Sequence, residues 1–139
     1  MTNFDSLKEV LHQKNASLVV QFQNGEIKEY YQDRVKDIKE ILQNDENALK
    51  NAIIADKVIG KLAGSLLAVG GVKAIYADVM SEYAIPVMDQ FNIEYEYKTK
   101  VPYIINKDKT GMCPMENKFK DVENIQSIYD EIIKGNVHQ

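Results

Sequence analysis

One apolar stretch, residues 55–71, constrains the fold of this chain more than any other part of it. The stretch is rich in small residues and begins with an adjacent acid and base, Asp56 and Lys57. A glycine inside a helix is unfavourable by about 1 kcal/mol relative to alanine, so two of them indicate that another element approaches closely. We therefore predict a buried central helix over about 56–69, which Gly70-Gly71 ends.

A hairpin is predicted ahead of this helix. Asn24-Gly25 separates two β-rich runs, and this pair is the strongest short-range signal for a hairpin with a type I′ turn. The two runs predict strands over 17–23 and 26–31. Helical spacing of apolar residues predicts one amphipathic helix before the hairpin and another, capped by Asp33, after it.

The second half of the chain alternates strands with helices. Residues 72–80 are almost continuously apolar, which is typical of a central strand that is covered on both faces. Ser81 is a suitable N-cap for the next helix, and Glu82 suits its first turn. The remaining predicted elements are strands over 93–98 and 101–106 and a helix over about 117–134.

This order of elements predicts one α/β domain over residues 1–139. A hairpin followed by strands that alternate with helices indicates a mixed sheet of about five strands, with helices on both faces in a three-layer α/β/α arrangement. A chain of 139 residues is long enough to bury one hydrophobic core.

Composition argues against several classes of protein. The net charge of -4 disfavours nucleic acid as the main partner, because phosphate binding needs a basic face. No apolar run is long enough to span a membrane, and the first residues lack the features of a signal peptide. The single cysteine allows no internal disulfide bond. Together these observations predict a cytoplasmic protein that does not associate with membranes.

Three polar segments are candidates for a site. In α/β folds, ligands bind where the C-terminal ends of strands meet the N-terminal ends of helices. At the predicted start of the central helix, Asp56 could bind a ligand donor or act as a base, and Lys57 could hold an anion beside free backbone amides. Ser81-Glu82 follows the predicted central strand, and Cys113-Pro-Met-Glu116 precedes the last helix. Helix capping and solvation explain these residues about as well.

Cys113 is either a small buried residue or a reactive thiol. A helix N-terminus lowers the pKa of a thiol and so favours the thiolate, which is the nucleophilic form. Glu116 is close enough in sequence to cap the same helix. His12 and His138, the two histidines of the chain, are far from Cys113 in sequence, so no Cys-His pair is indicated.

Three segments together resemble a known family. The resemblance rests on Ala55-Asp-Lys-Val-Ile-Gly-Lys-Leu-Ala63, Val79-Met-Ser-Glu-Tyr-Ala84 and Cys113-Pro-Met-Glu116. They are similar to segments of a family of small, mostly prokaryotic proteins of unknown function that is assigned to the cytidine deaminase-like superfamily. The resemblance covers about residues 17–116. It implies a cytidine deaminase-like fold and no established activity.

The zinc site of true deaminases is not carried over by this resemblance. Those enzymes place His-x-Glu or Cys-x-Glu at the start of one helix and Pro-Cys-x-x-Cys at the start of the next, so that three ligands hold zinc and the glutamate moves protons. The corresponding positions here are 55–57 and 81–84, which contain neither histidine nor cysteine. We therefore expect no zinc-dependent deamination, no metal site and no cofactor.

Three functions remain open. The first is binding of a nucleotide or another small anionic metabolite in a residual cleft lined by Asp56-Lys57 and Ser81-Glu82. The second is a metal-independent enzyme with Cys113 as the nucleophile and Asp56 or Glu116 as the proton carrier. The third is a non-catalytic module that forms homo-oligomers, most simply a homodimer.

Overall fold

The computed structural model describes residues 1–32 and 35–135, in which the chain forms six helices and five strands. The predicted helix cap Asp33 and the second histidine, His138, lie outside the described residues. In chain order the elements are α1 (Asp5–Gln13), β1 (Leu18–Gln21), β2 (Ile27–Tyr30), α2 (Lys36–Asn44), β3 (Ile53–Ile59), α3 (Lys61–Gly70), β4 (Ala74–Ser81), α4 (Ile85–Gln90), β5 (Glu94–Val101), α5 (Pro114–Phe119) and α6 (Ile125–Ile133).

The five strands form one mixed sheet in the order β2-β1-β3-β4-β5. The strand β1 is antiparallel to both of its neighbours, β2 and β3. The pairs β3-β4 and β4-β5 are parallel, and α3 and α4 connect them. This arrangement confirms the predicted α/β fold with a mixed sheet of five strands.

The helix α3 is the centre of the fold. Nearly all of its residues are buried, and it contacts α2, α4, α5, α6 and β3. A Cβ atom on Gly64 would lie 3.0 Å from Met88 Cε, so the small residue permits the close approach of α4. Gly71 follows the helix with a positive φ of 87°, as its C-cap. The prediction of a buried central helix is confirmed except for where the helix begins.

Helices cover both faces of the sheet, but unequally. The larger core packs α2, α3, α4 and α6 against one face. On the other face α1 packs against β1 and β3 and buries Leu7 and Leu11 against residues that include Val19 and Tyr76. Among residues 1–32 and 35–135, no helix combines the length and the apolar character that crossing a membrane requires.

The start of the central helix was predicted wrongly. Residues Ile53–Ile59 form β3 and Gly60 is the N-cap of α3, so Asp56 and Lys57 lie in a strand. Four of the seven β3 residues are β-branched, which favours a strand. Asp56 suits the start of a helix as well, so two local signals compete in this segment.

The predicted helix start at Ser81-Glu82 is also wrong. Ser81 is the last residue of β4, and α4 begins at Ile85 with Ala84 as its N-cap. The Ser81 hydroxyl accepts a hydrogen bond from the Tyr83 backbone N–H at 3.0 Å. The serine therefore stabilises a turn after the strand, which is the other common local role of this residue.

The C-terminal third departs from the prediction at two places. A single strand, β5, spans the break predicted between 93–98 and 101–106, and Pro102 follows its end. The predicted helix over 117–134 is two helices, α5 and α6. The second begins after Asn124, whose side-chain oxygen accepts a hydrogen bond from the Gln126 N–H at 3.2 Å. That N-cap stabilises a new helix start inside the predicted one.

The hairpin is confirmed, but its turn type is not. Strands β1 and β2 pair from Leu18↔Tyr30 to Gln21↔Ile27. Of the two residues that a type I′ turn would need with positive φ, only Gly25 has it. The Asn24 side chain instead accepts a hydrogen bond from the Glu26 N–H at 2.9 Å. This local bond is available to asparagine and stabilises a different turn.

The contribution of α1 can be measured through its buried leucines. Leu11→Ala removes a side chain that is 0% exposed, and we expect it to lower the free energy of unfolding by about 2–5 kcal/mol. Glu9→Ala, on the exposed side of the same helix, should change it by less than about 0.5 kcal/mol. Urea unfolding of both variants measures the difference. Equal effects would show that α1 does not pack on the sheet.

Candidate functional site

The carboxylate of Glu116 joins three segments at the C-terminal end of the parallel strands. Its Oε1 accepts a hydrogen bond from the Lys61 N–H at 2.6 Å, and its Oε2 accepts one from the Ile104 N–H at 2.8 Å. The residue is 2% exposed. A carboxylate at the start of α3 compensates for the free amide and for the positive end of the helix dipole. Glu116 was predicted to cap its own helix, and it caps the start of α3 instead. Its predicted role in binding a ligand stays a prediction.

Gly60 makes room for this carboxylate. A Cβ atom at Gly60 would lie 2.8 Å from Ile104 Cγ1 and 3.0 Å from Glu116 Oε1. The distance to Ile104 is shorter than real contacts of a Cβ atom and the distance to Glu116 is unusually tight, so a side chain at position 60 would force Ile104 and Glu116 to shift. The residue type at position 60 therefore depends on a contact with a residue 56 positions later in the chain.

Cys113, which is the N-cap of α5, lies in the same region. Its backbone N–H donates to the Ile104 carbonyl at 2.8 Å, and Pro114 occupies the first helical position as expected. The thiol is partly buried and forms no hydrogen bond within the described part of the chain. Both oxygens of nearby Glu116 accept backbone hydrogen bonds. A nucleophilic role for Cys113 stays a prediction.

Asp56 is buried in the middle of the sheet. It is 6% exposed, and its Oδ1 accepts a hydrogen bond from the Val58 N–H at 3.1 Å. The pKa of Asp56 is raised to about 7, chiefly by burial and also by the negative charges of Asp37 and Asp78, while backbone hydrogen bonds from Val58 and Lys57 oppose the shift. A carboxyl that titrates near neutral pH can carry a proton, so Asp56 remains a candidate for chemistry.

Lys57 points away from Asp56. Successive side chains of a strand lie on opposite faces of the sheet, so these two residues cannot line one cleft. The Lys57 ammonium donates a hydrogen bond to Asn15 Oδ1, directly after α1. The predicted pairing of Asp56 and Lys57 in a common site at a helix start is therefore wrong, because the residues lie in β3.

Ser81 and Glu82 do not complete the predicted cleft either. Ser81 is fully buried, and its hydroxyl accepts the turn hydrogen bond described above. The Glu82 side chain is 55% exposed, with its carboxylate 4.0 Å from the Lys100 ammonium. Of the predicted site residues, the structure brings Cys113 and Glu116 together, next to the start of α3.

Lys61, the first residue of α3, was not predicted. It is 8% exposed, and its Nζ lies 3.5 Å from the Lys120 carbonyl oxygen. Burial lowers the pKa of the Lys61 ammonium, and the charges of Asp121, Glu116 and Glu123 oppose this shift. If β3 had been predicted as a strand, Lys61 would have been a candidate. It follows the C-terminal end of a parallel strand, where ligands of α/β proteins bind.

A cavity of about 300 Å³ adjoins this lysine. Its volume is at the lower end of the range of small-molecule sites. It lies between the start of α3, the helix α4 and the segment that leads into α6. The lining residues are Lys61, Pro86, Val87, Gln90, Glu123 and Ile125.

A larger groove of about 510 Å³ lies elsewhere, beside the hairpin. Its lining includes Phe22, Lys28 and Asp45, and the Lys28 side chain is 58% exposed. An exposed lysine binds an anion weakly, because water already solvates its charge. We therefore regard the smaller cavity at Lys61 as the better candidate.

A second unpredicted group lies on the face of the sheet that α1 covers. Asp78 Oδ1 accepts a hydrogen bond from the Tyr76 hydroxyl at 2.7 Å and lies 2.8 Å from His12 Nε2. The spacing of Tyr76 and Asp78 by two residues in β4 places both side chains on one face. The His12 side chain is 50% exposed and pairs with Asp78.

Across the described residues, no three His, Cys, Asp or Glu side chains are grouped so that they could hold a metal ion.

Comparison with known proteins identifies the family. The profile of a domain of unknown function, DUF1893 (TM1506), matches residues 6–135. The chain belongs to the DUF1893 family. The crystal structure of a DUF1893 family protein (TM1506) from Thermotoga maritima has a TM-score of 0.84 with this chain. The two sequences are 25% identical, and the match covers 96% of this chain and 89% of that chain. No curated protein matches.

Membership of DUF1893 confirms the expected family of unknown function. The structural match extends over almost the whole chain, so the α/β fold with its five-stranded sheet is common to both proteins. The description of DUF1893 assigns no activity, ligand or partner. Any function must therefore be inferred from the geometry at the start of α3 and around the buried charged residues.

The contact between Gly60 and Glu116 can be tested with a matched pair of alanine variants. Gly60→Ala displaces the Glu116 carboxylate, so we expect a loss of about 3 kcal/mol in the free energy of unfolding. In Gly64→Ala the new Cβ meets the flexible end of Met88, and the gain in helix propensity offsets the crowding to within about 1 kcal/mol. Urea unfolding measures both. A smaller loss for Gly60→Ala than for Gly64→Ala would contradict the proposed contact.

The raised pKa of Asp56 predicts a dependence of stability on pH. The folded-state pKa of about 7 exceeds the value of the unfolded chain, so the neutral acid is favoured on folding. This stability is present at low pH and is lost as pH rises through about 4 to 7, by up to about 4 kcal/mol. Asp56→Asn cannot ionise, so wild type should become less stable relative to it with increasing pH.

Urea unfolding at several pH values, from about 5 to 8, measures this difference. Asp108→Asn, in an exposed loop, serves as the matched carboxyl-to-amide control. If wild type and Asp56→Asn keep a constant difference in stability over this range, the raised pKa is wrong.

Proposed function

We propose that this protein binds a nucleotide or another small anionic metabolite in the cavity beside Lys61. One observation carries the proposal: a lysine that is 8% exposed lines a cavity of about 300 Å³ at the end of a parallel strand. Its ammonium has a backbone carbonyl at 3.5 Å, which is a weak hydrogen bond for a charged donor. A ligand anion would supply a stronger one.

The other walls of the cavity restrict the ligand to molecules that combine an anion with hydrogen-bond donors. Glu123 also lines the cavity, so a ligand with negative charge alone would be repelled on that side. Gln90 offers both a donor and an acceptor. Pro86, Val87 and Ile125 provide apolar surface for a flat ring. A nucleotide has a phosphate for Lys61, amino groups for Glu123 and a ring for the apolar wall.

The position of the cavity in the fold supports the same proposal. Ligands of α/β proteins bind outside the C-terminal ends of parallel strands, next to the helices that follow them. Lys61 begins α3 directly after β3 and Gly60. The Glu116 hydrogen bond holds the backbone of Lys61 in place. A side chain on a fixed backbone loses less conformational freedom on binding, which favours affinity.

We infer that the fold is a zinc-free form of the cytidine deaminase-like fold. The inference is supported by the antiparallel hairpin next to the parallel strands β3, β4 and β5, with helices between them. In this interpretation Gly60-Lys61, rather than residues 55–57, corresponds to a helix start that carries zinc ligands in true deaminases. At this helix start, the positive charge of the Lys61 ammonium takes the place of the positive charge of a metal ion.

The binding proposal can be tested by thermal unfolding with AMP, ATP, adenosine and inorganic phosphate. At millimolar concentration AMP or ATP should raise the Tm of wild type by at least about 2 °C, because a ligand that binds only the native state stabilises it. Lys61→Gln keeps a hydrogen-bond donor on a side chain one atom shorter and removes its charge. This variant should lose the shift.

Lys57→Gln is the matched control, because it removes a lysine four residues away on the α1 face of the sheet. Its nucleotide-induced shift should equal that of wild type. A shift that survives in Lys61→Gln would place the ligand elsewhere. The absence of a shift with both nucleotides would rule out the nucleotide form of the proposal, and a shift with phosphate alone would restrict it to small anions.

A further inference from the structure

One edge of the sheet is long and open. The strand β5 has eight residues, and those at 96–100 are exposed. It pairs with β4 on one side, and within residues 1–32 and 35–135 no strand pairs with its other side. The opposite edge, β2, has only four residues. A long open edge presents unpaired backbone groups to any strand that can pair with it.

The backbone groups of two β5 residues point away from β4. The Glu94 N–H donates to the Lys73 carbonyl at 3.4 Å, which fixes the direction of that residue. Because successive residues in a strand direct their backbone groups to opposite sides, the N–H and C=O groups of Tyr95 and Tyr97 point outward. The Val101 carbonyl accepts a hydrogen bond from the Glu82 N–H, on the β4 side, so the alternation shifts by one residue between Tyr97 and Val101.

The charges along β5 are separated by sign. Glu94 and Glu96 lie in its first half, and Lys98 and Lys100 lie in its second half. In an antiparallel pair of two β5 strands with a twofold axis at Tyr97, Glu94 of each copy is opposite Lys100 of the other. Glu96 is then opposite Lys98. Opposite charges directly across an antiparallel pair are favourable, by about 0.2–1 kcal/mol per pair.

The hydrogen-bonding pattern selects the same register. A twofold axis at Tyr97 places the outward backbone groups of the two Tyr97 residues opposite each other, where they exchange two hydrogen bonds. A shift of the axis to residue 98 places Lys98 opposite Lys98, and a shift to residue 96 places Glu96 opposite Glu96. Parallel pairing in register places each charge opposite its own kind. Of these arrangements, only the one centred on Tyr97 has both complete charge pairing and outward backbone groups.

We propose that two copies of this chain pair antiparallel through β5 around Tyr97, which gives a continuous ten-stranded sheet. Antiparallel pairing also brings the end of one strand next to the start of the other. Phe91, before β5, is 39% exposed, and Tyr103, after it, is 38% exposed. These rings add apolar contacts at both ends of the interface. The surface is separate from the Lys61 cavity, so it does not depend on the proposed ligand.

Three of the charged residues already have partners within their own chain, and one of these is Lys100, whose ammonium lies 4.0 Å from the Glu82 carboxylate. Glu94 accepts a hydrogen bond from the Thr2 N–H at 2.6 Å, and the Glu96 carboxylate lies 3.1 Å from the Lys8 ammonium. A carboxylate has about four acceptor positions, so both glutamates can also receive a lysine from the second copy. The Lys8–Glu96 pair would then extend to Lys98 of the other chain.

Sedimentation equilibrium with charge-reversed variants tests the dimer and its register together. Wild type should sediment at twice the chain mass of 15.9 kDa. The double variants Glu94→Lys/Glu96→Lys and Lys98→Glu/Lys100→Glu each place four like-charge pairs across the interface. Each should dimerise at least about tenfold more weakly than wild type. Mixed in equal amounts, the two variants should form a heterodimer, because their charges are again complementary.

A proline variant tests the backbone pairing separately. Tyr97→Pro removes an outward N–H and leaves the ladder to β4 complete, so the variant should fold and should be monomeric. Lys28→Glu changes a charge on β2, at the other edge, and should remain a dimer. Circular dichroism verifies that each variant is folded. A monomeric wild type, a dimer that persists in Tyr97→Pro, or a failure of the two mixed variants to associate would each overturn the proposal.

Discussion

The buried carboxylate of Glu116 is the contact on which the arrangement of the site depends. It binds the first backbone N–H of α3 and the N–H of Ile104, and so joins the central helix to the segment after β5 and to α5. A charged group 2% exposed is stable only because these donors replace its water. The absence of a side chain at Gly60 lets it approach. Removal of either partner would leave a buried amide or a buried charge without its bond.

This contact determines which residues can form a site and which cannot. With both Glu116 oxygens bonded to the backbone, the carboxylate is a structural element, whereas Lys61 is a buried charged side chain that borders a cavity. Asp56 and Lys57, although adjacent in sequence, belong to opposite faces of β3. The buried acid faces the larger core, and the lysine bonds to the turn after α1. Neighbouring residues in a strand therefore lie on opposite faces of the sheet, whereas contacts between elements that are distant in sequence bring side chains together.

The sequence predicted most of the scaffold because its signals are local. Periodic apolar residues indicated α1 and α2, the Asn24-Gly25 pair indicated the hairpin, and the small residues of 60–71 indicated a buried helix. The failures occurred where two local signals competed. The Asp-Lys pair in β3 suits a helix start as well as a strand, and Ser81 caps a helix or stabilises a turn with equal ease. Tertiary contacts decide such cases, because both local alternatives have similar free energies.

What the sequence determined by itself is the class of fold, the family of unknown function that it resembles, and the lack of the histidines and cysteines of a deaminase zinc site. These depend on residue identity and spacing alone. Only the tertiary structure decided that Lys61 borders the cavity, that Glu116 holds the start of α3, and that β5 forms an open edge with separated charges. Each of these is a relation between elements tens of residues apart. Burial and partners, which set the pKa of Asp56 and the role of Glu116, exist only once the chain has folded.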